Sequence, residues 1–172
     1  MRVVAGIARG RRLVAPKGEG TRPTSDFVRE AIFNSLVSHV DLHGATVLDL
    51  FAGTGALGIE ALSRGAAHAT FVESDRKALE AIRTNLASVG FADRGTVVAG
   101  DATKVALPVV DVAFVDPPYA FTGWDVLLAR VDAEVLVVES DREVPVDDVR
   151  EVLKSKRYGT TVVTLSVLRS TR

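Results

Sequence analysis

Strand-like and helix-like segments alternate along most of this chain, and the alternation narrows the possible folds more than any other feature. Short runs rich in β-branched residues are followed by longer segments whose apolar residues recur at helical spacing. The predicted strands are Thr46–Leu50, Ala69–Glu73, Thr96–Ala99, Val110–Val115, Glu134–Glu139 and two β-prone runs around Tyr158-Gly159, the second ending as Thr161–Leu168. Such alternation is typical of a mostly parallel sheet with helices on both faces. We therefore predict an α/β, Rossmann-like sheet of seven strands, mostly parallel, in which a terminal hairpin supplies the one antiparallel strand.

The predicted helices fill the gaps between these strands. The first begins after a capping residue at Thr24, Ser25 or Asp26, and its apolar stripe includes Phe27 and Ile32. The others are predicted over Ala56–Arg64, over Arg76–Val89, and near residues 122–130 and 146–154.

The segment that precedes the first helix has a different pattern. Residues 2–7 and 11–15 favour a β-hairpin, and residues 16–25 are rich in Gly, Pro and Thr, which is typical of a loop. We interpret residues 1–25 as an N-terminal extension and residues 26–172 as the main domain.

A glycine-rich segment connects the first predicted strand to its helix. The spacing of Gly53, Gly55 and Gly58 lets the backbone turn tightly and approach a ligand at the helix N-terminus. This spacing fits a nicotinamide dinucleotide as well as S-adenosyl-L-methionine. Asp49 favours the second, because a carboxylate repels a pyrophosphate and attracts an ammonium and a sulfonium.

Acidic residues also end the later strands, at the sheet edge where open α/β sheets bind ligands. We expect Asp49 near the methionine end of the ligand, Glu73 at the ribose hydroxyls, Asp101 near the adenine, and Asp116 closing the pocket. The predicted cofactor-binding residues are Asp49, Phe51, Gly53, Thr54, Gly55, Glu73, Ser74, Asp101, Ala102 and Asp116.

The segment Asp116-Pro117-Pro118-Tyr119 ends the fourth predicted strand. The carboxylate and a proline carbonyl at this point can accept the hydrogens of a planar amino group, while the ring stacks on the plane that carries the amine. We predict that these four residues are catalytic in methylating a conjugated nitrogen. Trp124 either closes the base pocket or anchors a helix on the core.

Composition excludes several kinds of chemistry. The chain has 172 residues and no cysteine, so disulfides, thiolate nucleophiles and cysteine-bound iron–sulfur clusters are excluded. Its histidines, His39, His43 and His68, show no metal-ligand spacing, so no metal is expected. No run approaches the ~18 to 20 apolar residues of a membrane span, and the start does not resemble a signal peptide, so we expect a cytoplasmic protein.

Charge is segregated although the net charge is only −1. Residues 1–29 carry a net charge of +5 and residues 151–172 a net charge of +4, which leaves an acidic middle. A basic end on an acidic body indicates contact with a polyanion such as RNA.

With these motifs in view, the chain resembles the bacterial 16S ribosomal RNA guanine-N2 methyltransferases, the D type of small-subunit rRNA methylases. The resemblance runs over nearly the full length, and the segments that carry it are residues 2–13, 21–34, 47–55 and 116–119. The first two are particular to this family, whereas the glycine loop and the Asp-Pro-Pro-Tyr motif are shared by many methylases.

The resemblance implies a class I fold that uses S-adenosyl-L-methionine to methylate one guanine N2 in 16S rRNA of the small ribosomal subunit. We expect a monomer whose N-terminal hairpin grips the RNA. The predicted RNA-binding residues are Arg2, Arg9, Arg11, Arg12, Arg22, Thr24 and Arg29.

Three alternatives remain open at this point. An adenine-N6 DNA methyltransferase uses the same Asp-Pro-Pro-Tyr motif to hold its target amine, but it usually carries a target-recognition region for which this chain has no room. A nicotinamide oxidoreductase fits the glycine spacing. A catalytically inert RNA-binding protein of ribosome assembly fits the charge, although the presence of Gly53, Glu73 and Asp116 favours an active enzyme.

Overall fold

The computed structural model, which describes residues 1–16 and 24–170, confirms the predicted α/β fold. Its strands are β1 (Thr46–Leu50), β2 (His68–Glu73), β3 (Gly95–Ala99), β4 (Val110–Val115), β5 (Ala133–Ser140), β6 (Arg150–Tyr158) and β7 (Thr161–Leu168). They form one sheet in the order β3-β2-β1-β4-β5-β7-β6. Strands β1 to β5 are parallel, and β7 is antiparallel to both β5 and β6.

The helices follow the predicted connections. They are α1 (Asp26–Leu36), α2 (Ala56–Ser63), α3 (Arg76–Val89) and α4 (Trp124–Leu128), with a 3₁₀ turn at Ala92–Arg94. Ser25 caps α1 by accepting a hydrogen bond from Val28 N at 3.2 Å, which satisfies a free amide of the first turn. Within the described part of the chain, no helix is both long and apolar enough to cross a membrane.

Alternate side chains of the strands enter two cores, one on each face of the sheet. Val47 and Phe114 point toward α1, α2 and α3, and they pack in a core that includes Phe33. Leu48 and Val115 point to the other face, where α4 covers them. Both faces are therefore buried, and the ends of the parallel strands remain for binding.

The predicted helix over residues 146–154 is wrong, because β6 occupies most of this region. Among the described strands β6 lies at one edge of the sheet and pairs with β7, and six of its nine side chains are exposed, four of them charged. A register shift between Val152 and Lys154 also interrupts the two-residue alternation that identifies a strand. The helix predicted near 122–130 exists, but it is limited to the short α4.

The N-terminal segment packs on the sheet domain. The predicted hairpin has one β-bridge, between Arg2 and Arg12, and Val3 N donates to the carbonyl of Arg11 at 3.0 Å. Val3 and Leu13 are buried in the same core as α1 and α2. The remainder of the predicted loop, residues 17–23, lies outside the described residues.

Side chains of α2 and α3 hold this segment in place. The buried carboxylate of Glu60 accepts hydrogen bonds from the amides of Val4 (2.8 Å) and Ala5 (2.9 Å). Asn85 accepts from Val14 N at 2.8 Å and donates to the carbonyl of Thr54 at 2.9 Å. Asn85 therefore links the N-terminal segment to the glycine-rich loop.

Candidate active site

A cleft of about 1120 Å³ runs along the carboxyl ends of the parallel strands. It brings together most of the residues that the sequence predicts for the site, although they come from distant parts of the chain. Those that line the cleft are Thr24, Phe51, Gly53, Thr54, Glu73, Ser74, Asp101, Asp116, Pro117, Pro118 and Tyr119.

The glycine-rich loop forms the floor of the cleft in a backbone conformation that few residues adopt. Phe51, Gly53 and Gly55 all have positive φ angles, of 58°, 57° and 76°. A left-handed conformation is unfavourable for phenylalanine, and such local strain is concentrated at functional sites. A side chain at Gly58 would overlap the ring of Phe71, at 2.3 Å, so α2 can approach the sheet only with glycine at this position.

Three predicted cofactor residues, Asp49, Gly55 and Ala102, are buried behind the residues that line the cleft. The Asp49 carboxylate accepts a hydrogen bond from Gly58 N at 2.9 Å, which fixes the loop to the first turn of α2. Burial raises the pKa of Asp49 well above its ordinary value, against the lowering effect of the Gly58 bond. The carbonyl of Ala102 accepts from Arg130 at 2.9 Å.

Two acidic side chains lie at the end of the cleft that the glycine-rich loop forms. Glu73 accepts hydrogen bonds from the amides of Gly53 (2.8 Å) and Ser74 (2.9 Å), so its carboxylate lies between the loop and the end of β2. Asp101 is exposed, and hydrogen bonds from the hydroxyl and amide of Thr103 lower its pKa. Both residues retain lone pairs that can accept hydrogen bonds from a ligand.

At the other end of the cleft, Asp116 extends β4 and Tyr119 follows it. The Tyr119 hydroxyl forms a 2.9 Å hydrogen bond with Thr161 of β7, while the residue remains 37% exposed. Phe121 N donates to the carbonyl of Pro118 at 2.8 Å, which closes the turn. An aromatic ring and a carboxylate are thus held at one end of the cleft.

A buried acid that belongs to none of the predicted site residues lies beside the half-buried Asp116. Glu139, at the end of β5, is 4% exposed and lines the cleft. The Thr24 hydroxyl lies 3.3 Å from Asp116 Oδ2 and 3.2 Å from each carboxylate oxygen of Glu139. Burial raises the pKa of Asp116 to about 7, against the lowering effect of the Thr24 bond. The sequence did contain one signal for Glu139, because this acid ends the predicted strand that follows the strand of Asp116.

Aromatic residues that the sequence analysis did not assign to the site also reach the cleft. Phe121 packs against Phe51 with ring centroids 5.5 Å apart, and both rings line the cleft. Phe27 also lines it, although Phe27 was expected in the buried stripe of α1 and is 69% exposed. Trp124 is buried against Phe121 and the core below α4, which supports its interpretation as a helix anchor.

The predicted RNA-binding residues have different environments. Arg2, Arg9, Arg11 and Arg12 are exposed on the N-terminal segment, so they remain predictions. Arg22 lies outside the described residues.

The prediction that Arg29 contacts RNA is wrong, because its side chain is fully buried. Its guanidinium donates to Asp26 at 2.7 Å and to the carbonyl of Arg2. It also lies 3.8 Å from the carboxylate of Glu60. Arg29 therefore joins α1, α2 and the N-terminal segment and has no surface to offer a ligand.

Comparison with known proteins gives consistent matches over the chain. The family model described as conserved hypothetical protein 95 matches residues 1–167. The chain is 38% identical over 170 residues to "Putative rRNA methyltransferase YlbH" of Bacillus subtilis, covering 95% of this chain and 91% of that protein. It is 41% identical over 121 residues to "Ribosomal RNA small subunit methyltransferase D" of Escherichia coli K12, covering 69% of this chain and 60% of that relative.

Solved structures show the same fold. "Putative methyltransferase yhhF" from Escherichia coli superposes with a TM-score of 0.86 at 34% identity, covering 99% of both chains. An RNA methyltransferase from Salinibacter ruber, solved with S-adenosyl-L-homocysteine, has a TM-score of 0.67 at 17% identity and covers 88% of this chain and 96% of its own, a likeness of fold alone.

Proposed function

The chain belongs to the conserved hypothetical protein 95 family and is a relative of the bacterial D-type small-subunit rRNA methyltransferases, and from this premise we propose that it methylates 16S rRNA. The methyl group would come from S-adenosyl-L-methionine and go to the exocyclic N2 of one guanine in the small ribosomal subunit. The observation that carries this proposal is the single cleft that holds the glycine-rich loop and Glu73 at one end and the Asp116-Pro117-Pro118-Tyr119 segment at the other.

The residues at the first end fit S-adenosyl-L-methionine. A Cβ atom placed on Gly53 would meet nothing within 4 Å, so this part of the loop faces open space that a ligand can fill. Glu73 can accept from the ribose hydroxyls and Asp101 can contact the adenosine side, while Phe51 and Phe121 supply apolar surface. When bound, the cofactor would supply an electrophilic methyl carbon for the amine nitrogen, with S-adenosyl-L-homocysteine as the leaving group.

At the second end, the chain's own groups would hold the substrate amine. The nitrogen of an exocyclic amine is nearly planar because its lone pair is delocalised into the ring. Hydrogen bonds to the Asp116 carboxylate and the Pro117 carbonyl would fix the NH₂ group and favour a more nucleophilic nitrogen. Orientation of two reacting groups can lower a barrier by roughly 7–11 kcal/mol. Because a proton can leave after the transfer, no strong base is needed.

Tyr119 would stack on the guanine once the base has left its neighbours. Such stacking contributes about 1–3 kcal/mol per base. The Tyr119–Thr161 hydrogen bond holds the phenol and therefore orients the ring before the base arrives.

The N-terminal segment would bring the RNA to this cleft. Met1 and Pro16 line the cleft, while Arg9, Arg11 and Arg12 are exposed on the same segment. Basic side chains attract phosphates, and Arg11 donates to the carbonyl of Ser88 in the last turn of α3 at 3.3 Å. These arginines would therefore hold the RNA backbone at a distance from the base that enters the cleft. In this proposal residues 1–25 contact RNA and residues 26–172 carry the methyltransferase domain.

Transfer of labelled methyl groups tests the proposal directly. The protein is incubated with labelled S-adenosyl-L-methionine and with small ribosomal subunits lacking the modification, or with duplex DNA. We expect label in 16S rRNA and none in DNA. Label in adenine of the DNA would favour an adenine-N6 DNA methyltransferase. Tight calorimetric binding of NADH without binding of S-adenosyl-L-methionine would favour an oxidoreductase, and binding of subunits without transfer would favour the inert assembly protein.

A further inference from the structure

Glu139 places a buried carboxylate next to the half-buried Asp116. β4 and β5 are parallel with Val115 opposite Val138, so the residues that follow these two are neighbours across the sheet. The hydroxyl of Thr24 lies between the two acids, 3.3 Å from Asp116 Oδ2 and 3.2 Å from both oxygens of Glu139.

The number of hydrogen bonds that Thr24 can donate limits the total charge on Asp116 and Glu139. The Thr24 hydroxyl has one hydrogen and can donate one hydrogen bond. If both acids were ionised, two negative charges would stand side by side and one of them would face the lone pairs of Thr24 without a hydrogen bond from it, which is unfavourable. If one acid keeps a proton, that acid donates to Thr24 and Thr24 donates to the other acid. Both contacts are then hydrogen bonds, so the geometry favours one proton on the pair.

The surroundings indicate which acid keeps it. Glu139 is almost fully buried. Burial raises its pKa well above the ordinary value; the negative charges of Asp116 on β4 and Asp49 on β1 raise the pKa further, while the Thr24 bond and the charge of Arg29 on α1 lower it. The pKa of Asp116 is raised only to about 7, mainly by burial. Asp116 lies at the cleft surface and is only half-buried, whereas Glu139 is buried beside it, so the proton is assigned to Glu139 and the charge to Asp116.

We propose that Glu139 is a positioning residue: it stays protonated, donates to Thr24, and so keeps Asp116 ionised and oriented toward the amine of the target guanine. In this chain of hydrogen bonds Thr24 donates to Oδ2 of Asp116. No other described residue forms a side-chain hydrogen bond with this carboxylate, so Oδ1 can accept from the substrate. The inference rests on the proposed function, because it assumes that Asp116 holds the amine.

Infrared difference spectroscopy tests the protonation of Glu139 without RNA or cofactor. The full-length wild-type protein is compared at pH 8 with Glu139→Gln and with Glu134→Gln, an exposed acid on the same strand that serves as the control. We expect the wild type and Glu134→Gln to share a carbonyl band of a protonated carboxylic acid that Glu139→Gln lacks. The same protonated-carboxyl bands in Glu139→Gln as in the wild type would overturn the inference.

The rate of methyl transfer tests the positioning role. Glutamine at position 139 can still donate to Thr24, whereas leucine cannot. We expect Glu139→Leu to lower kcat/KM by roughly 10- to 100-fold, the effect of losing a hydrogen bond to a charged group, and Glu139→Gln to lower it much less. Thr24→Val should resemble Glu139→Leu, while Thr24→Ser should retain more activity.

The pH profile separates this role from a purely structural one. Wild-type kcat should fall at high pH, when Glu139 loses its proton, and Glu139→Gln should lack that decline. Equal activity of Glu139→Leu and wild type, or the same alkaline decline in Glu139→Gln, would overturn the inference. If the wild type transfers no methyl group to RNA, the proposed function fails, while the infrared spectra still decide the state of Glu139.

Discussion

Asp116 combines burial, which favours the neutral acid, with a proposed role that requires a negative charge. We expect Asp116→Ala to abolish methyl transfer, because the amine loses its acceptor, and to change the affinity for S-adenosyl-L-methionine by less than tenfold. Transfer assays and calorimetry on the same preparation measure both quantities. Asp125→Ala, an exposed acid on α4, is the control and should transfer normally. Substantial transfer by Asp116→Ala would remove Asp116 from the mechanism.

The raised pKa of Asp116 also predicts how stability depends on pH. The folded state keeps the proton up to about pH 7, whereas the unfolded chain releases it near the ordinary value of 3.8. The stabilisation from the neutral acid is therefore lost as the pH rises from about 4 to above 7, by about 1–3 kcal/mol because the cleft is open to water. Asp116→Asn, which imitates the neutral acid, should flatten this dependence in urea titrations across that range. An unchanged pH dependence would contradict the assigned pKa.

At the residue scale, motifs were predictable and isolated residues were not. The Asp116 segment was recognised because four adjacent residues form one chemical unit. Glu139 has no neighbouring motif, and its importance arises from a strand pairing that brings it to Asp116. Arg29 was misassigned because arginine is usually exposed, whereas here the buried face of α1 is Val28, Arg29, Ile32, Phe33 and Leu36.

At the scale of elements, the packing of the N-terminal segment against α2 depends on one glycine. Gly6 has a φ of +81°, and an added Cβ atom would lie 1.9 Å from the carbonyl oxygen of Ser63. Gly10 has a φ of +82° with nothing within 4 Å, so Gly10→Ala isolates the conformational effect, about 1–2 kcal/mol. We expect Gly6→Ala to lower the free energy of unfolding by at least about 1 kcal/mol more, since overpacking adds to that effect. Urea denaturation measures the free energy of unfolding of both variants. Equal losses in Gly6→Ala and Gly10→Ala would show that the N-terminal segment shifts to accommodate the added Cβ atom.

Burial of whole elements explains which strands were predictable. The ends of the five parallel strands were predicted within one residue, because short runs rich in β-branched residues identify such strands. The prediction of a helix at β6 was wrong, since an edge strand with many exposed charges lacks that signal. The single β-bridge of the N-terminal hairpin reflects its packing on α2 and α3, which no local pattern encodes.

At the scale of the whole molecule, the segregated charge predicts salt-dependent binding to RNA. Replacing Arg9, Arg11 and Arg12 by alanine should weaken binding to small subunits and flatten the dependence of affinity on salt, by about 0.7–0.9 in log–log slope for each phosphate that is no longer neutralised. The matched control replaces Arg76, Lys77 and Arg83 by alanine. These residues are exposed on α3, and their replacement removes the same three positive charges. Filter binding over a range of salt concentrations measures the slopes. Equal slopes for the two triple variants would place the RNA-binding surface elsewhere.

The central claim is that one cleft brings a methyl donor to the N2 of a guanine in 16S rRNA. Mass mapping of 16S rRNA tests it, using subunits from a strain that lacks this gene, before and after treatment with the protein and S-adenosyl-L-methionine. The account predicts that one guanine lacks a methyl group before treatment and carries N2-methylguanine afterwards. The claim would be contradicted if no guanine lacked its methyl group before treatment, or if the treated rRNA gained the methyl group on another atom.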